Sequence, residues 1–332
     1  MNLNILKNLC YFAASFTLIV ISVGAWVRLT DAGLGCPDWP GCYGILGTPD
    51  TESELLKAKE LYPDSIIEVG KAWREMFHRY LAGTLGILVF VITYLMLKHA
   101  KHVSKLYPIS LSVLIVIQST MGMLTVTQLV KPTIVTTHLI LGMTTAGLLL
   151  WNGLQIQLKN KIDQIDFRLV NLIFICILAL ILQIILGGWT STNYASLACT
   201  DFPKCLNQWW PSNMNYSEAF TVFNLPDINY ETAPLVYEAK LAIHFTHRIG
   251  ALILTLLYSV LFVYLFFIQS NKMLKSIGAF VFLLFVFQIF LGISNVLMSL
   301  PISIAVLHTV NASILLLSMI TLLFYSTYHS QK

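Results

Sequence analysis

Five of the eight histidines fall inside long apolar stretches: His78, His138, His244, His247 and His308. An ionisable side chain within a membrane span is a functional suspect by default. His78 and His138 each lie a few residues beyond the expected outer edge of a helix, about 8–9 Å deep at the helical rise. His247 and His308 repeat that arrangement further along the chain. Each half thus offers two imidazoles, from two helices, at one depth. Such a pair suits the two axial positions of a heme iron, and helix bundles commonly build cofactor sites from facing side chains. The plain alternative is interhelical hydrogen bonding. Zinc fits less well, since no carboxylate or cysteine completes a tetrahedral set around either pair. His99, His102 and His329 fall in charged loops or the tail and read as solvated.

The elements that must position these groups are membrane helices. Of 332 residues, 57% are apolar and 11% charged, against about 25% charged in soluble chains. Eight stretches meet the bilayer requirement of about 20 apolar residues: 9–29, 73–97, 106–129, 132–157, 168–190, 239–269, 273–299 and 302–327. The first is too long for a signal-peptide core and lacks a small-residue cleavage site. The expected fold is all-α and integral to the membrane, with eight transmembrane helices as two pseudo-symmetric four-helix bundles, residues 1–165 and 166–332. Lys7, Lys98, Lys101, Lys105, Lys159, Lys161, Arg168, Lys272, Lys275 and Lys332 share one side, opposed there only by Asp163 and Asp166. That side is expected to be cytoplasmic, with both termini. The net charge of +4 therefore reflects topology and points to no nucleic-acid partner.

Two outer connections are long, 30–72 and 191–238; the others are tight turns at Pro132 and Pro301. Thr51 and Glu54 form a capping-box pattern, so a short surface helix is expected in the first. The aromatics of the second, Trp209, Trp210 and Tyr216, suit the membrane interface. GAWVRLTDAGLGCPDWPGC from Gly24 answers GGWTSTNYASLACTDFPKC from Gly187. Gly24, Trp26, Cys36 and Cys42 align with Gly187, Trp189, Cys199 and Cys205; Pro40 is read one position out, against Lys204 beside Pro203. HRYLAGTLGIL at His78 answers HRIGALILTLL at His247; Gln118, Gly122 and His138 answer Gln288, Gly292 and His308. These ordered matches make a parallel repeat about an axis near the membrane normal. Cys36 with Cys42, and Cys199 with Cys205, share loops facing an oxidising compartment, so a disulfide is expected in each. It serves as a clamp over a site or as a redox-active pair. Cys10 and Cys176 lie in spans and read as inert.

Small residues, Gly83, Gly86, Gly142, Gly147, Gly250 and Gly292, leave room for a flat macrocycle or let helices approach closely. Arg79 and Arg248, directly after His78 and His247, are candidates for heme propionate contacts or for snorkelling to the outer interface. One position breaks the symmetry. Three residues before His78 stands Glu75; three before His247 stands His244. Each shares a helix face with its histidine. A carboxylate beside a heme edge can move protons in a way an imidazole does not reproduce. Glu75 alternatively pairs with Arg74, Arg79 or Lys71 at the interface.

RLTDAGLGCPDWPGC, the E-x-x-H-R run from Glu75 to Arg79, and histidines in the second, fourth, sixth and eighth spans resemble the heme A synthase family over nearly the whole chain. The resemblance implies oxidation of the C8 methyl of heme O to a formyl group for cytochrome oxidase. It implies His78 and His138 as ligands of the substrate heme, His247 and His308 as ligands of a heme b cofactor, and Glu75 as the catalytic carboxylate. Heme O synthase and oxidase assembly factors become expected partners, a homo-oligomer an allowed state, and a bacterial plasma membrane the expected location. A bis-histidine membrane cytochrome carrying electrons between quinol and a partner is the competing reading; a heme carrier is a third.

Overall fold

The computed structural model describes residues 2–161 and 165–330; Asp163 and Lys332, used above for topology, lie outside them. Among the described residues, eight helices are long and apolar enough to cross a membrane. They are α1 (Leu3–Leu29), α3 (Val69–His99), α4 (Leu106–Thr127), α5 (Pro132–Ile156), α6 (Phe167–Thr192), α8 (Tyr237–Val263, continued by a π-helical turn, Tyr264–Ile268), α9 (Lys272–Leu297) and α10 (Ile302–Thr327). Two short helices, α2 (Glu52–Leu61) and α7 (Tyr216–Ala219), sit in the long loops. The expected spans match these closely, and the chain is an all-helical multi-pass membrane protein. A small addition went unforeseen: Leu158–Lys161 pairs antiparallel with Tyr328–Ser330. It ties the end of α5 to the segment after α10.

Local chemistry sets the helix ends. Thr51 and Glu54 form the expected capping box on α2. Asp166 accepts the Arg168 and Leu169 N–H groups at the start of α6, and Asn271 those of Met273 and Leu274 at α9; such caps satisfy donors that have no intrahelical partner. Pro132 occupies the first turn of α5, where its missing N–H costs nothing. The turns before α5 and α10 copy each other: Leu129 and Val130, like Ser299 and Leu300, take positive φ.

α1 packs on α3 and α5, and α4 packs on both α3 and α5. In the second half α6 packs on α8 and α10, and α9 on α8 and α10. Contacts between these sets run through α1 with α10, α5 with α6, and α5 with α10. One apolar core, including Leu6, Ala13, Val89, Ile92 and Leu111, lies within the first four spans. A second, including Ile173, Tyr258, Phe285 and Met319, also takes in Ile21 and Met143 from the first half. The halves therefore share core as well as surface.

Candidate functional site

Each of the four paired histidines rests on a glycine of a neighbouring helix. A Cβ on Gly24 would come 2.8 Å from the His78 ring; on Gly122, Gly187 or Gly292 it would come 3.2 Å from His138, His247 or His308. The glycines thus seat the imidazoles. Of the glycines expected to leave space, Gly83 faces open room, Gly86 stands at contact distance from the Ile115 side chain, Gly142, Gly147 and Gly250 lie against neighbouring side chains, and Gly292 seats His308. His78 and His138 lie within electrostatic reach of each other, as do His247 and His308.

Three of the four imidazoles are also held by a glutamine amide. Gln118 Nε2 lies 3.5 Å from His138 Nε2 and donates to the His138 carbonyl at 3.0 Å. Gln288 does the same to His308, at 3.2 and 3.1 Å. Gln183 Nε2 lies 3.1 Å from His247 Nδ1 and donates to the His247 carbonyl at 2.9 Å. The Nδ1 atoms of His78, His138 and His308 are buried without a partner among the described residues. A buried polar atom is normally satisfied, so these nitrogens fit a ligand outside the protein, and heme iron accepts such donors. Sequence reading matched Gln118 to Gln288 without finding their task. It missed Gln183, which has no glutamine opposite it in the repeat.

The disulfide loops are built to one plan. Cys36–Cys42 and Cys199–Cys205 are bonded, and each is buried in its own small apolar cluster. Pro40 and Pro203 both follow cis peptide bonds and stand equally far past Cys36 and Cys199. The proline register is therefore in step, correcting the displaced alignment against Lys204. Asp38 accepts the Tyr43 and Gly44 N–H groups at 2.6 and 2.9 Å; Asp201 accepts those of Leu206 and Asn207 at 2.6 and 2.8 Å. The Asn207 and Leu206 N–H groups hold the Asp201 carboxyl below its ordinary range.

The residues beside the histidines fasten these loops. Glu75, 4% exposed, accepts the Cys36 N–H on Oε2 at 2.8 Å and pairs with Arg79 through Oε1. His244 takes the Cys199 N–H on Nδ1 at 3.1 Å. Arg79 donates to the carbonyls of Asp38 and Gly41, at 2.9 and 2.5 Å. Arg248 donates to those of Asp201, Lys204 and Cys199, at 2.8 to 2.9 Å. The guanidinium groups thus hold loop backbone, a role the sequence reading did not foresee. Of the partners suggested for Glu75, the structure supplies Arg79; Arg74 stacks on Trp26 and Lys71 pairs with Glu68.

Two further features bear on the first half. Between α3 and α4 a cleft of about 250 Å³ lies beneath Trp39 of the disulfide loop, lined by Gly86, Phe90, Ile115, Ser119 and Met123. The second long loop also reaches the first half, at the turn between α4 and α5. Tyr230 donates its N–H to the Leu129 carbonyl at 3.2 Å, and Asp227 pairs with Lys131 at 2.7 Å. Half-buried Glu231 approaches Gly33; burial, then Asp31, raises its carboxyl above the ordinary range.

Residues 7–320 match the family model described as cytochrome oxidase assembly protein, COX15-CtaA. A heme A synthase of Shewanella oneidensis is 43% identical over 96% of this chain and 95% of its own. Those of Pelagibacter ubique and Neorickettsia sennetsu are 29% and 27% identical, over 94% and 90% of this chain and 93% and 92% of theirs. The match runs through the seated histidines, Glu75 and both disulfide loops, and the chain belongs to the COX15-CtaA family of cytochrome oxidase assembly proteins.

Proposed function

We propose that this protein is a heme A synthase, an oxidoreductase that converts the C8 methyl of heme O to the formyl group of heme A for cytochrome oxidase. The observation that carries the reading is the pair of seated histidine sites that differ at one partner, Glu75 against His244. The near full-length similarity to a heme A synthase supports it. The chain divides into four-helix halves at about residue 165. His78 and His138 hold the substrate iron; His247 and His308 hold heme b, which supplies electron transfer. Both termini face the cytoplasm of a bacterium, and the disulfide loops face outward, as the basic residues of the short loops suggest.

The chain's own residues then have distinct tasks. The cleft between α3 and α4 lets an apolar-tailed heme enter from the lipid beneath Trp39. Arg79 and the Cys36 N–H fix the position of the Glu75 carboxyl group one helical turn from His78, where it can hold or pass a proton. The disulfide loops, pinned by Arg79 and Arg248, keep bulk water from both sites. Each disulfide acts as a clamp.

The test exchanges the halves' chemistry. In the second half an imidazole already accepts the loop N–H that Glu75 accepts in the first. Glu75→His should therefore keep the loop docked and heme bound, while heme A formation falls by about 10²-fold or more. Coexpression with a heme O source, followed by heme extraction and mass analysis, reads this directly. Normal product from Glu75→His would remove Glu75 from the chemistry. Heme returned unchanged by the unmodified protein would favour a carrier or a cytochrome instead.

A further inference from the structure

Glu75 is buried, and both its oxygens are engaged, one by the Cys36 N–H and one by Arg79. A second carboxylate lies within electrostatic reach of it: Glu231, in the second long loop. The loop's own contacts place Glu231 there. Tyr230 donates its N–H to the Leu129 carbonyl, and Asn229 accepts the Glu231 N–H at 2.8 Å. A Cβ on Gly33 would lie 3.5 Å from Glu231 Oε1 and 3.3 Å from the Val130 side chain. Glu231, the α4–α5 turn and the first loop therefore meet at one point. The Leu34 N–H also faces the Glu231 carboxylate. Leu34 stands two residues before Cys36, whose N–H Glu75 accepts. One short stretch of backbone thus meets Glu231 at one end and Glu75 at the other.

Glu231 is half-buried and has no ion pair among the described residues. The cations that face it are committed elsewhere: Arg28 to Asp31 at 3.6 Å, and Lys71 to Glu68 at 2.8 Å. Taking a carboxylate out of water without pairing it is costly. A neutral amide would brace the loop at less cost. An unpaired carboxyl between a buried acid and solvent suits proton carriage. We propose that Glu231 is a proton relay for the first half's site, supplied by the second half's loop, between Glu75 and the water on the disulfide-loop side. This rests on the reading that Glu75 holds or passes a proton. In the step, the O–H bond of the Glu75 carboxyl breaks, intervening water hands a proton on, and an O–H bond forms on Glu231. Glu231 then releases the proton to bulk water, and no electron moves. Arg28, Asp31 and Lys71 are the other charged groups facing its carboxyl.

The experiment measures the rate of heme A formation in membranes that contain the full chain and are supplied with heme O. Glu231→Gln keeps the size of the side chain and removes its proton-carrying group. It should lower the rate by about 10²-fold, the lower end of what a positioned acid–base group contributes, with the heme-to-protein ratio unchanged. Two further readouts separate a relay from a brace. Glu231→Asp, which shortens the side chain but keeps the carboxyl, should recover most of the rate. Added acetate, a small diffusible proton carrier, should speed Glu231→Gln and leave the unmodified protein unchanged. A normal rate in Glu231→Gln overturns the proposal. So does a slow rate that comes with lost heme, or one that neither the aspartate variant nor acetate recovers. The underlying reading fails separately: a normal rate in Glu75→Gln removes it and the relay together, whereas loss at Glu75 with none at Glu231 removes the relay alone.

Discussion

At the scale of single residues, Glu75 and His244 occupy equivalent places, and both accept the first N–H of a disulfide loop. Fastening the loop therefore does not require a carboxylate, and this separates Glu75's structural task from its chemistry. The seats make a sharper residue-level prediction. Gly24→Ala places a methyl 2.8 Å from the His78 ring, closer than van der Waals contact permits, so the ring must move. We expect one heme per chain to be lost while the second half keeps its own, read by heme-to-protein ratio. Gly83→Ala, which meets nothing within 4 Å, should leave that ratio unchanged. The histidines and Glu75 were legible in the sequence because charge in an apolar span stands out. The glutamine contacts were less so: a glutamine is tolerated in many helical settings, and only its donation to a histidine backbone carbonyl reveals its task.

At the scale of elements, helix limits were legible because the membrane demands long apolar runs ended by polar residues. The build of the loops was not, since it depends on backbone bonds to side chains many residues away. Arg79 reaching Asp38 and Arg248 reaching Asp201 are such bonds. The Asp201 carboxyl, held below its ordinary 3.8 by the Asn207 and Leu206 N–H groups, contributes fully above that value. Its contribution is lost as the pH falls through the lower folded value. Order in the second loop should hold from neutral pH down to about pH 5 and loosen below about pH 4. Asp201→Asn should abolish that acid-side change; amide exchange at Leu206 and Asn207, corrected for intrinsic rates, is the measurement. Replacing Cys199 and Cys205 by serine opens a short loop and should cost about 2 kcal/mol, seen as a lower unfolding temperature. Lys131→Ala should cost at most about 1 kcal/mol, because Asp227, its partner, is 86% exposed.

At the scale of the whole molecule, the halves meet through α1, α5, α6 and α10, and a polar latch joins them at the end that carries the disulfide loops. Arg28 donates to Tyr194 Oη at 2.9 Å and to the Ser191 carbonyl at 3.0 Å, and lies over the Tyr194 ring. Tyr194 in turn donates to Asp31 at 2.8 Å. Burial pushes the Tyr194 hydroxyl up to about 12, so the latch stays neutral at tyrosine across the physiological range. Arg28→Ala should lower stability by about 1–3 kcal/mol without removing either heme, measurable by thermal unfolding of the solubilised protein. The repeat was legible because its motifs recur in order. The crossing of the second loop was not, since nothing in its residues names Leu129 as their partner. That crossing has a consequence for how the protein is made. The chain leaves the ribosome from its N-terminus, so the first four spans are available before Tyr230 and Glu231 have been made. The contacts at Leu129 and Lys131 form only when the chain has been made past the fifth span. A truncated or stalled chain therefore carries His78, His138 and Glu75 without the contacts that the second loop makes to Leu129 and Lys131.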